Sequence, residues 1–354
     1  MAFKDSGLPQ KTMRAMVLTG FGGYEKLHYR PDVPVPAPGG GEVLVKVAAC
    51  GVNNTDIWTR EGAYGAGARS GWRGGAFEFP RIQGADIVGR IAAVGAGVPR
   101  ERLGVRVMVN PTLYAGDGDG LFEAIYIGSE RDGGFAEFAC VPDSNAHAID
   151  SGLSDPELAT FMTAYLTAEH MLNRAAVGAD ETVLVTGASG GVGSALVQLA
   201  RLRGARVAAV VGKGKEGPLE KLGVDGILFR GETDYRRALA NRLRSNAVDV
   251  VADVVGGEQS ARLIELLRAG GRYVTAGAIA GPMATIDWRT IYLKHLTVLG
   301  STMGIQREAR QIVAYVASGR LKPLLAGVYP LEQLVQAQKA FKEKTHFGKL
   351  VIVP

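Results

Sequence analysis

A glycine-rich stretch after an apolar, β-branched run is the segment of this chain best suited to bind a ligand. It spans residues 187–193 and reads, from its second position on, Ala188, Ser189, Gly190, Gly191, Val192 and Gly193. Because glycine has no side chain, a pyrophosphate can reach the backbone N–H groups here and the positive end of a following helix. The strict G-x-G-x-x-G pattern is not met, since Ala188 takes the place of its first glycine. A strand pattern before the turn and a helical pattern after it favour dinucleotide binding over a tight turn without a ligand.

The second strand of this unit, predicted at residues 206–211, indicates which dinucleotide is bound. Sites for NAD place Asp or Glu at the end of that strand, about 20 residues beyond the last glycine, where it holds the ribose 2′-hydroxyl. The corresponding position here is Gly212, and Lys213 and Lys215 follow it. Two ammonium groups without a carboxylate at the strand end suit a 2′-phosphate, so we predict NADPH. The alternative to a 2′-phosphate site is a solvated basic loop, and the negative charge of the nearby Glu216 favours this alternative.

The glycine turn lies within an alternation of helices and strands that starts near residue 155. Such alternation predicts a doubly wound parallel sheet with its ligand at the carboxyl ends of the strands. The preceding residues instead form short predicted strands between turns rich in glycine and proline, which is typical of a β-rich, barrel-like domain. The predicted fold class is therefore α/β, with a β-rich, barrel-like region up to about residue 150 followed by a doubly wound parallel sheet. The main predicted strands cover residues 16–18, 42–47, 87–91, 106–109, 135–138, 249–257, 272–277, 296–300 and 349–353, and the main predicted helices cover residues 158–174, 308–318 and 331–342.

The composition excludes several other classes of protein. The chain has 354 residues, of which 47% are hydrophobic and 21% charged, with a net charge of +5. This length suggests two domains, no apolar run reaches the roughly 20 residues of a membrane span, and the N-terminus lacks a secretory h-region. With only Cys50 and Cys140, neither a disulfide framework nor a four-cysteine zinc lobe is available. We expect a cytoplasmic protein that acts on a small molecule and has neither nucleic acid nor a membrane as a partner.

The domain order and five local motifs resemble the medium-chain dehydrogenase/reductase superfamily over nearly the whole chain. In that superfamily a GroES-like catalytic domain is interrupted by a Rossmann domain and resumes at the C-terminus. The resemblance therefore implies a Rossmann domain at residues 151–303 inserted into a catalytic domain at residues 1–150 and 304–354. The matching segments are residues 49–56, 84–89, 161–165, 188–193 and 253–256, with the sequences ACGVNNTD, GADIVG, FMTAY, ASGGVG and DVVG.

The resemblance also indicates where zinc-dependent members carry their catalytic metal. Their cysteine, histidine and second cysteine ligands correspond here to Asn53, Ala85 and Ala159. Neither Asn nor Ala is a competent zinc ligand, because Zn²⁺ binds thiolate, imidazole or carboxylate. Asp86 is a carboxylate at this place, but a single acid does not form a metal site. We therefore predict no metal and a similarity to the zinc-independent quinone-oxidoreductase branch.

That branch implies roles for further residues. An asparagine and a tyrosine that line its nicotinamide pocket match Asn53 and Tyr64, which we predict to be the catalytic residues and to supply hydrogen-bond donors. Thr163 is expected to pack on the nicotinamide face away from the substrate. Tyr64 has the alternative of being an ordinary loop aromatic, and Asn53 that of capping a helix near residue 54. The other predicted cofactor contacts are Asp253, Gly277 and Lys349.

The residues at this site can support hydride transfer without a Lewis acid. Hydride addition to the β-carbon of an enone or quinone needs only donors that hold the carbonyl oxygen while enolate charge develops. The implied function is NADPH-dependent reduction of a quinone or of an activated C=C bond in an enone, alkenal or enoyl thioester. Two alternatives stay open, an NADPH-dependent carbonyl reductase and a non-catalytic, crystallin-like NADPH-binding protein.

Two further expectations concern the surface. Residues 296–300 are predicted to be the last strand of the Rossmann sheet, an edge at which two subunits join in proteins that this chain resembles, so we expect a homodimer. A set of arginines surrounds one loop and either recognises an anionic group on the substrate, such as an acyl-CoA, or forms a solvated charged loop. These arginines are Arg60, Arg69, Arg73 and Arg81.

Overall fold

A computed structural model describes residues 10–64, 77–115 and 120–354 of the chain. The chain divides into two compact units, Met1–Thr163 with Ile305–Pro354 and Ala164–Gly304. The chain thus passes from the first unit to the second after Thr163, later than the boundary expected at residue 150. The reason is that a short helix, Asp155–Leu158, packs on two strands of the first unit, Glu42–Gly51 and Asp86–Val94.

Short β-strands dominate the N-terminal part of the first unit. In its main sheet β3 (Glu42–Gly51) pairs antiparallel with both β5 (Asp86–Val94) and β9 (Phe138–Pro142). β6 (Arg106–Val109) and β10 (Ala146–Ala148) follow beyond β5. Val43, Leu44 and Val45 of β3 are all fully buried, so both faces of this strand are covered. The elements in chain order are β1 (Thr12–Leu18), β2 (Leu27–Pro34), β3 (Glu42–Gly51), α1 (Asn54–Glu61), β4 (Arg81–Ile82), β5 (Asp86–Val94), β6 (Arg106–Val109), β7 (Thr112–Ala115), β8 (Gly120–Tyr126), β9 (Phe138–Pro142), β10 (Ala146–Ala148) and α2 (Asp155–Leu158).

Two predicted elements of this region are displaced. The strand expected at residues 135–138 begins only at Phe138, because the backbone of Gly134 and Phe135 bonds instead to that of Gly84 and Gln83. The single helix expected at residues 158–174 is split in two. A capping box of Ser154 and Glu157 starts α2 earlier, and a second helix follows it, α3 (Met162–Arg174).

The second unit contains the predicted doubly wound parallel sheet. Every strand pairing in it is parallel, and the strand order is β13 (Gly226–Phe229), β12 (Arg206–Val211), β11 (Thr182–Val185), β14 (Val248–Asp253), β15 (Leu267–Thr275) and β16 (Thr297–Gly300). This is the Rossmann order, in which the chain reverses direction across the sheet between β11 and β14 and a ligand binds beyond the carboxyl ends of those strands. The elements are β11 (Thr182–Val185), α4 (Gly191–Leu202), β12 (Arg206–Val211), α5 (Glu216–Lys221), β13 (Gly226–Phe229), α6 (Tyr235–Leu243), β14 (Val248–Asp253), α7 (Gln259–Glu265), β15 (Leu267–Thr275), α8 (Trp288–Leu293) and β16 (Thr297–Gly300).

The C-terminal segment completes the first unit. It forms α9 (Gln306–Ala317), β17 (Leu325–Pro330), α10 (Leu334–Glu343) and β18 (Lys349–Val353). β18 pairs antiparallel with β3 and parallel with β17, so the last strand extends the main sheet. Within residues 10–64, 77–115 and 120–354, no helix has the length and apolar character to cross a bilayer.

Candidate functional site

Five buried polar side chains of the first unit form one hydrogen-bonded group, the Asp86 cluster: Asn53, Asp86, Tyr126, Thr163 and Lys349. Each residue is at most 8% exposed. The Lys349 Nζ donates to Asp86 Oδ2 at 2.7 Å and to Asn53 Oδ1 at 2.5 Å. The Thr163 backbone N–H donates to Asp86 Oδ1 at 2.7 Å, and the Thr163 hydroxyl donates to the same oxygen. The Tyr126 hydroxyl lies 2.8 Å from Thr163 Oγ1, which links the tyrosine to the carboxylate.

Adjacent strands bring these residues together although they are far apart in sequence. Asp86 is the first residue of β5 and pairs with Gly51 of β3, which also pairs with Val351 of β18. Asn53 follows the end of β3, and Lys349 is the first residue of β18. The asparagine, the aspartate and the lysine therefore meet at one end of three neighbouring strands.

The donor side of the Asn53 amide is fully used inside the protein. Its Nδ2 donates to Asp86 Oδ2 at 3.0 Å and to the Gly51 carbonyl oxygen at 3.3 Å, and a primary amide has only two N–H groups. The expectation that this amide donates to a ligand is therefore corrected. Asn53 also occupies the N-cap position of α1, but its side chain faces the cluster. Asp56 instead completes the cap by accepting the Asn53 backbone N–H at 2.7 Å.

Asp56 is a second buried carboxyl group next to the cluster. Burial raises its pKa to about 7, although the Asn53 backbone N–H and the Lys349 ammonium act in the opposite direction. The neighbouring Asp86 carboxylate contributes to the rise. Asp56 is therefore a group that titrates near neutral pH.

Tyr64, the second predicted catalytic residue, lies shortly after α1. Its ring packs edge-on against Trp58, with the ring centroids 5.5 Å apart. Burial raises the pKa of Tyr64 well above its usual range, and Asp56 adds to this effect. The hydroxyl therefore keeps its proton at neutral pH and can donate it in a hydrogen bond. Burial is the largest cause of the raised pKa of Tyr126, a member of the Asp86 cluster, and Tyr64 also contributes to that rise.

The residues at the zinc positions do not fit a zinc ion. Ala85 and Ala159 present only buried methyl groups, and Asn53 Oδ1 accepts a hydrogen bond from an ammonium. In the part of the chain that the structure describes, no three His, Cys, Asp or Glu residues are grouped so as to hold a metal. The positive charge at this place belongs to Lys349, which is ion-paired with Asp86.

The second unit contains the predicted glycine turn between β11 and α4. Gly190 is the N-cap of α4, so the first N–H groups of this helix lie at the turn and provide a positive end for a phosphate. A Cβ at Gly193 would lie 2.2 Å from the Gly187 carbonyl oxygen, and the turn therefore requires glycine there. Ala188 and Gly193 are buried. The exposed or partly exposed residues of the turn are Gly187, Ser189, Gly190, Gly191 and Val192.

Asp253, a predicted cofactor contact, is fully buried at the end of β14. Its carboxylate is saturated by donors of the protein, so its role in this structure is to position the loop that follows β14. A contact between Asp253 and the cofactor stays a prediction, and this carboxylate has no free acceptor position for it. Gly277 lies against this loop, because a Cβ there would come within 2.7 Å of the Val254 carbonyl oxygen. The donors to Asp253 are the hydroxyls of Thr186, Ser260 and Tyr273 and the backbone N–H groups of Val255 and Gly256.

A group of three cations surrounds the end of β12. Gly212 follows this strand, Lys213 is exposed and Lys215 is partly buried. The Arg230 guanidinium lies 3.8 Å from the position that a Cβ would occupy if Gly212 carried a side chain. Burial lowers the pKa of Lys215, and the Arg230 charge lowers it further. Sequence reasoning missed Arg230, although it follows β13, and neighbouring parallel strands end at the same edge of a sheet.

The arginines expected to recognise an anionic substrate have other roles where they are described. Arg60 is 1% exposed, donates to the Gly22 carbonyl oxygen at 2.6 Å and stacks on the Tyr24 ring. Arg81 pairs with Asp132 at 3.1 Å. Arg60 thus has a structural role, because it connects α1 to the segment that contains Gly22 and Tyr24. Arg69 and Arg73 lie outside the described residues.

Comparison with known proteins agrees with this architecture. A family profile described as alcohol dehydrogenase GroES-like domain matches residues 39–151, and one described as zinc-binding dehydrogenase matches residues 222–352. A quinone oxidoreductase of Rattus norvegicus is 30% identical over 97% of this chain and 98% of its own length. A Sinorhizobium meliloti 1021 protein solved as a candidate alcohol dehydrogenase is 52% identical, with a TM-score of 0.95 over 99% of this chain and 98% of its own. A crotonyl-CoA carboxylase/reductase solved in complex with NADP is 26% identical, with a TM-score of 0.87 over 98% of this chain and 95% of its own. The GroES-like unit, the Rossmann unit and these relatives together show that the chain belongs to the medium-chain dehydrogenase/reductase superfamily and is quinone-oxidoreductase-like.

Proposed function

We propose that this protein transfers hydride from NADPH to a quinone or to an activated C=C bond of an enone, alkenal or enoyl thioester, without zinc. The observation that carries the proposal is the Asp86 cluster, in which the Lys349 ammonium is bonded to Asn53, one of the residues that correspond to zinc ligands. Conjugate addition requires hydrogen-bond donors at a carbonyl oxygen rather than a Lewis acid. The Lys349 ammonium of this cluster and the Tyr64 hydroxyl are hydrogen-bond donors that could serve this purpose.

NADPH is favoured as the cofactor by the three cations near Gly212. Lys213, Lys215 and Arg230 suit the 2′-phosphate of NADPH, and the strand end lacks the carboxylate that holds the 2′-hydroxyl of NAD. The relative solved with NADP adds support for a nicotinamide cofactor in this family. The bound cofactor would supply the hydride. The glycine turn and the N-terminus of α4 would hold its pyrophosphate.

The chain's own residues would stabilise the charge that develops on the substrate. The protonated Tyr64 hydroxyl is suited to donate a hydrogen bond to the carbonyl oxygen as that oxygen becomes an enolate. Thr163 is fixed by two hydrogen bonds to Asp86, so its position at the predicted nicotinamide face does not depend on a ligand.

A substrate panel tests this function. NADPH consumption should be measured with quinones, enones, alkenals, enoyl-CoAs and aldehydes, with zinc quantified in the same preparation. With deuterium on the reactive face of NADPH, the label should appear on the β-carbon of an enone product. Label on a carbinol carbon would identify a carbonyl reductase instead, and no consumption with any acceptor would favour the non-catalytic alternative. Stoichiometric zinc that is needed for turnover would refute the metal-free mechanism.

We also propose that the protein is a homodimer that pairs through β16. This strand lies at the edge of the Rossmann sheet, and Val298 within it is exposed. The adjacent helix α8 exposes Trp288 at 73%, Tyr292 at 61% and Leu293 at 68%. An apolar edge strand with apolar neighbours favours pairing with a second copy, because an open edge of this kind promotes aggregation.

A further inference from the structure

We propose that the Lys349 ammonium is the catalytic cation of this site, and that it donates its third N–H to the substrate oxygen that becomes negative during hydride transfer. This inference rests on the proposed function. It assigns Lys349 a role in the chemistry in place of the cofactor contact predicted from the sequence. The charge that a metal supplies in zinc-dependent relatives would here come from a lysine.

Lys349 makes fewer hydrogen bonds than its ammonium group can donate. An ammonium group has three donors. Two of them bond to Asp86 Oδ2 and Asn53 Oδ1, and no described residue accepts the third. Lys349 is 3% exposed, so bulk water has little access to that N–H. A buried donor without a partner is costly and calls for a ligand that completes its bonding.

The donors of the neighbouring side chains in the Asp86 cluster are already used within the protein. Both Asn53 N–H groups bond within the protein, and the Thr163 hydroxyl donates to Asp86. Because the Thr163 proton is used in this way, the Tyr126 hydroxyl is the donor in the contact between these two residues. Lys349 is therefore the group of the Asp86 cluster that has a donor left for a substrate.

The charge around Lys349 also favours an anionic ligand. The Asp86 carboxylate accepts four hydrogen bonds, of which only one comes from Lys349. Several donors besides the lysine thus stabilise the Asp86 carboxylate, and these donors partly offset its negative potential at the ammonium, which can then attract a second anion. The two bonds to Asp86 and Asn53 also fix the ammonium in place, which is the preorganisation that a transition-state contact needs.

The binding of 4-nitrophenol tests this role without hydride transfer. Its phenolate is a planar conjugated oxyanion, like an enolate, and its absorbance reports ionisation. Wild-type protein should bind the phenolate in preference to the phenol and lower the apparent pKa of the bound probe, both with and without NADPH. Lys349→Met should lose this preference, whereas the control Lys342→Met should keep it, since Lys342 is an exposed lysine paired with Glu61. A wild-type protein that shows no preference for the phenolate would overturn the inference by itself.

Turnover provides the second measurement. With an enone from the panel, Lys349→Met should lower kcat by roughly 10²-fold or more, as the loss of one preorganised donor does, and leave NADPH affinity unchanged. Because the variant leaves Asp86 buried and unpaired, Lys349→Met/Asp86→Asn serves as a second variant that removes both charges. An unchanged kcat, or a loss of NADPH affinity that accounts for the whole defect, would overturn the inference. If no acceptor is reduced, the proposed function fails, while the phenolate measurement still decides the role of Lys349.

Discussion

Substitution of the buried Asp56 by Asn should change how the stability of the protein depends on pH. Burial raises the Asp56 pKa from its ordinary value of 3.8 to about 7. Between these values the folded protein holds a proton that the unfolded chain has released, so the stability contributed by this group falls as pH rises. Over the pH interval between the two pKa values, the loss of stability amounts to about 4 kcal/mol, at ~1.4 kcal/mol for each pH unit. Asn still offers an oxygen to the Asn53 N–H, so the helix cap is retained while the titration is removed.

Urea unfolding followed by circular dichroism between pH 4.5 and 8 measures this effect, a range that spans the Asp56 pKa of about 7. The free energy of unfolding of the wild type relative to Asp56→Asn should decrease with pH up to about 7 and then level off. Glu137→Gln is the matched control in the same unit. Burial acts to raise the Glu137 pKa, but the Arg14 backbone N–H and guanidinium outweigh it and the pKa is lowered. The stability that Glu137 contributes is lost only as pH falls below the usual carboxyl range. The difference in free energy of unfolding between the wild type and Glu137→Gln should therefore be constant above that range. A flat or rising difference for Asp56→Asn would refute the reasoning, since Asp56 would then be ionised throughout.

Three further predictions concern the cofactor, the mechanism and assembly. Arg230→Ala should weaken NADPH binding by about 10-fold or more, as expected when a charge-assisted bond worth ~1.5–3 kcal/mol is lost, and leave NADH binding unchanged in fluorescence titrations. Equal weakening of both cofactors would argue against a 2′-phosphate contact. Tyr64→Phe should lower kcat by roughly 10²-fold with an unchanged NADPH dissociation constant; an undiminished kcat would mean that the hydroxyl has no role in the transition state. Val298→Lys should convert a dimer to a monomer in light scattering, and a wild type that is monomeric at micromolar concentrations would contradict the pairing through β16.

Features that depend on neighbouring residues were predictable from the sequence. The strands β6, β12 and β18 have the bounds that hydrophobic patterning predicts, because alternation and β-branched runs act over a few residues. The glycine turn was recognisable for the same reason, since strand, turn and helix N-terminus are consecutive. The parallel sheet and the family followed from the order of such local signals along the chain.

Only the tertiary structure decided which side chains meet. Asn53 was identified as a site residue, but its partners Asp86 and Lys349 are brought to it by the register of β3 with β5 and β18. The sequence contains no sign that Tyr126, on β8, bonds to Thr163, or that the Asn53 amide donates only inside the protein. The physical reason is that a hydrogen-bond partner is set by strand pairing over long sequence separations, whereas residue patterns report only what lies within a turn or a strand. The sequence alone therefore determined the local elements and the family of this chain, and the folded chain determined which side chains meet.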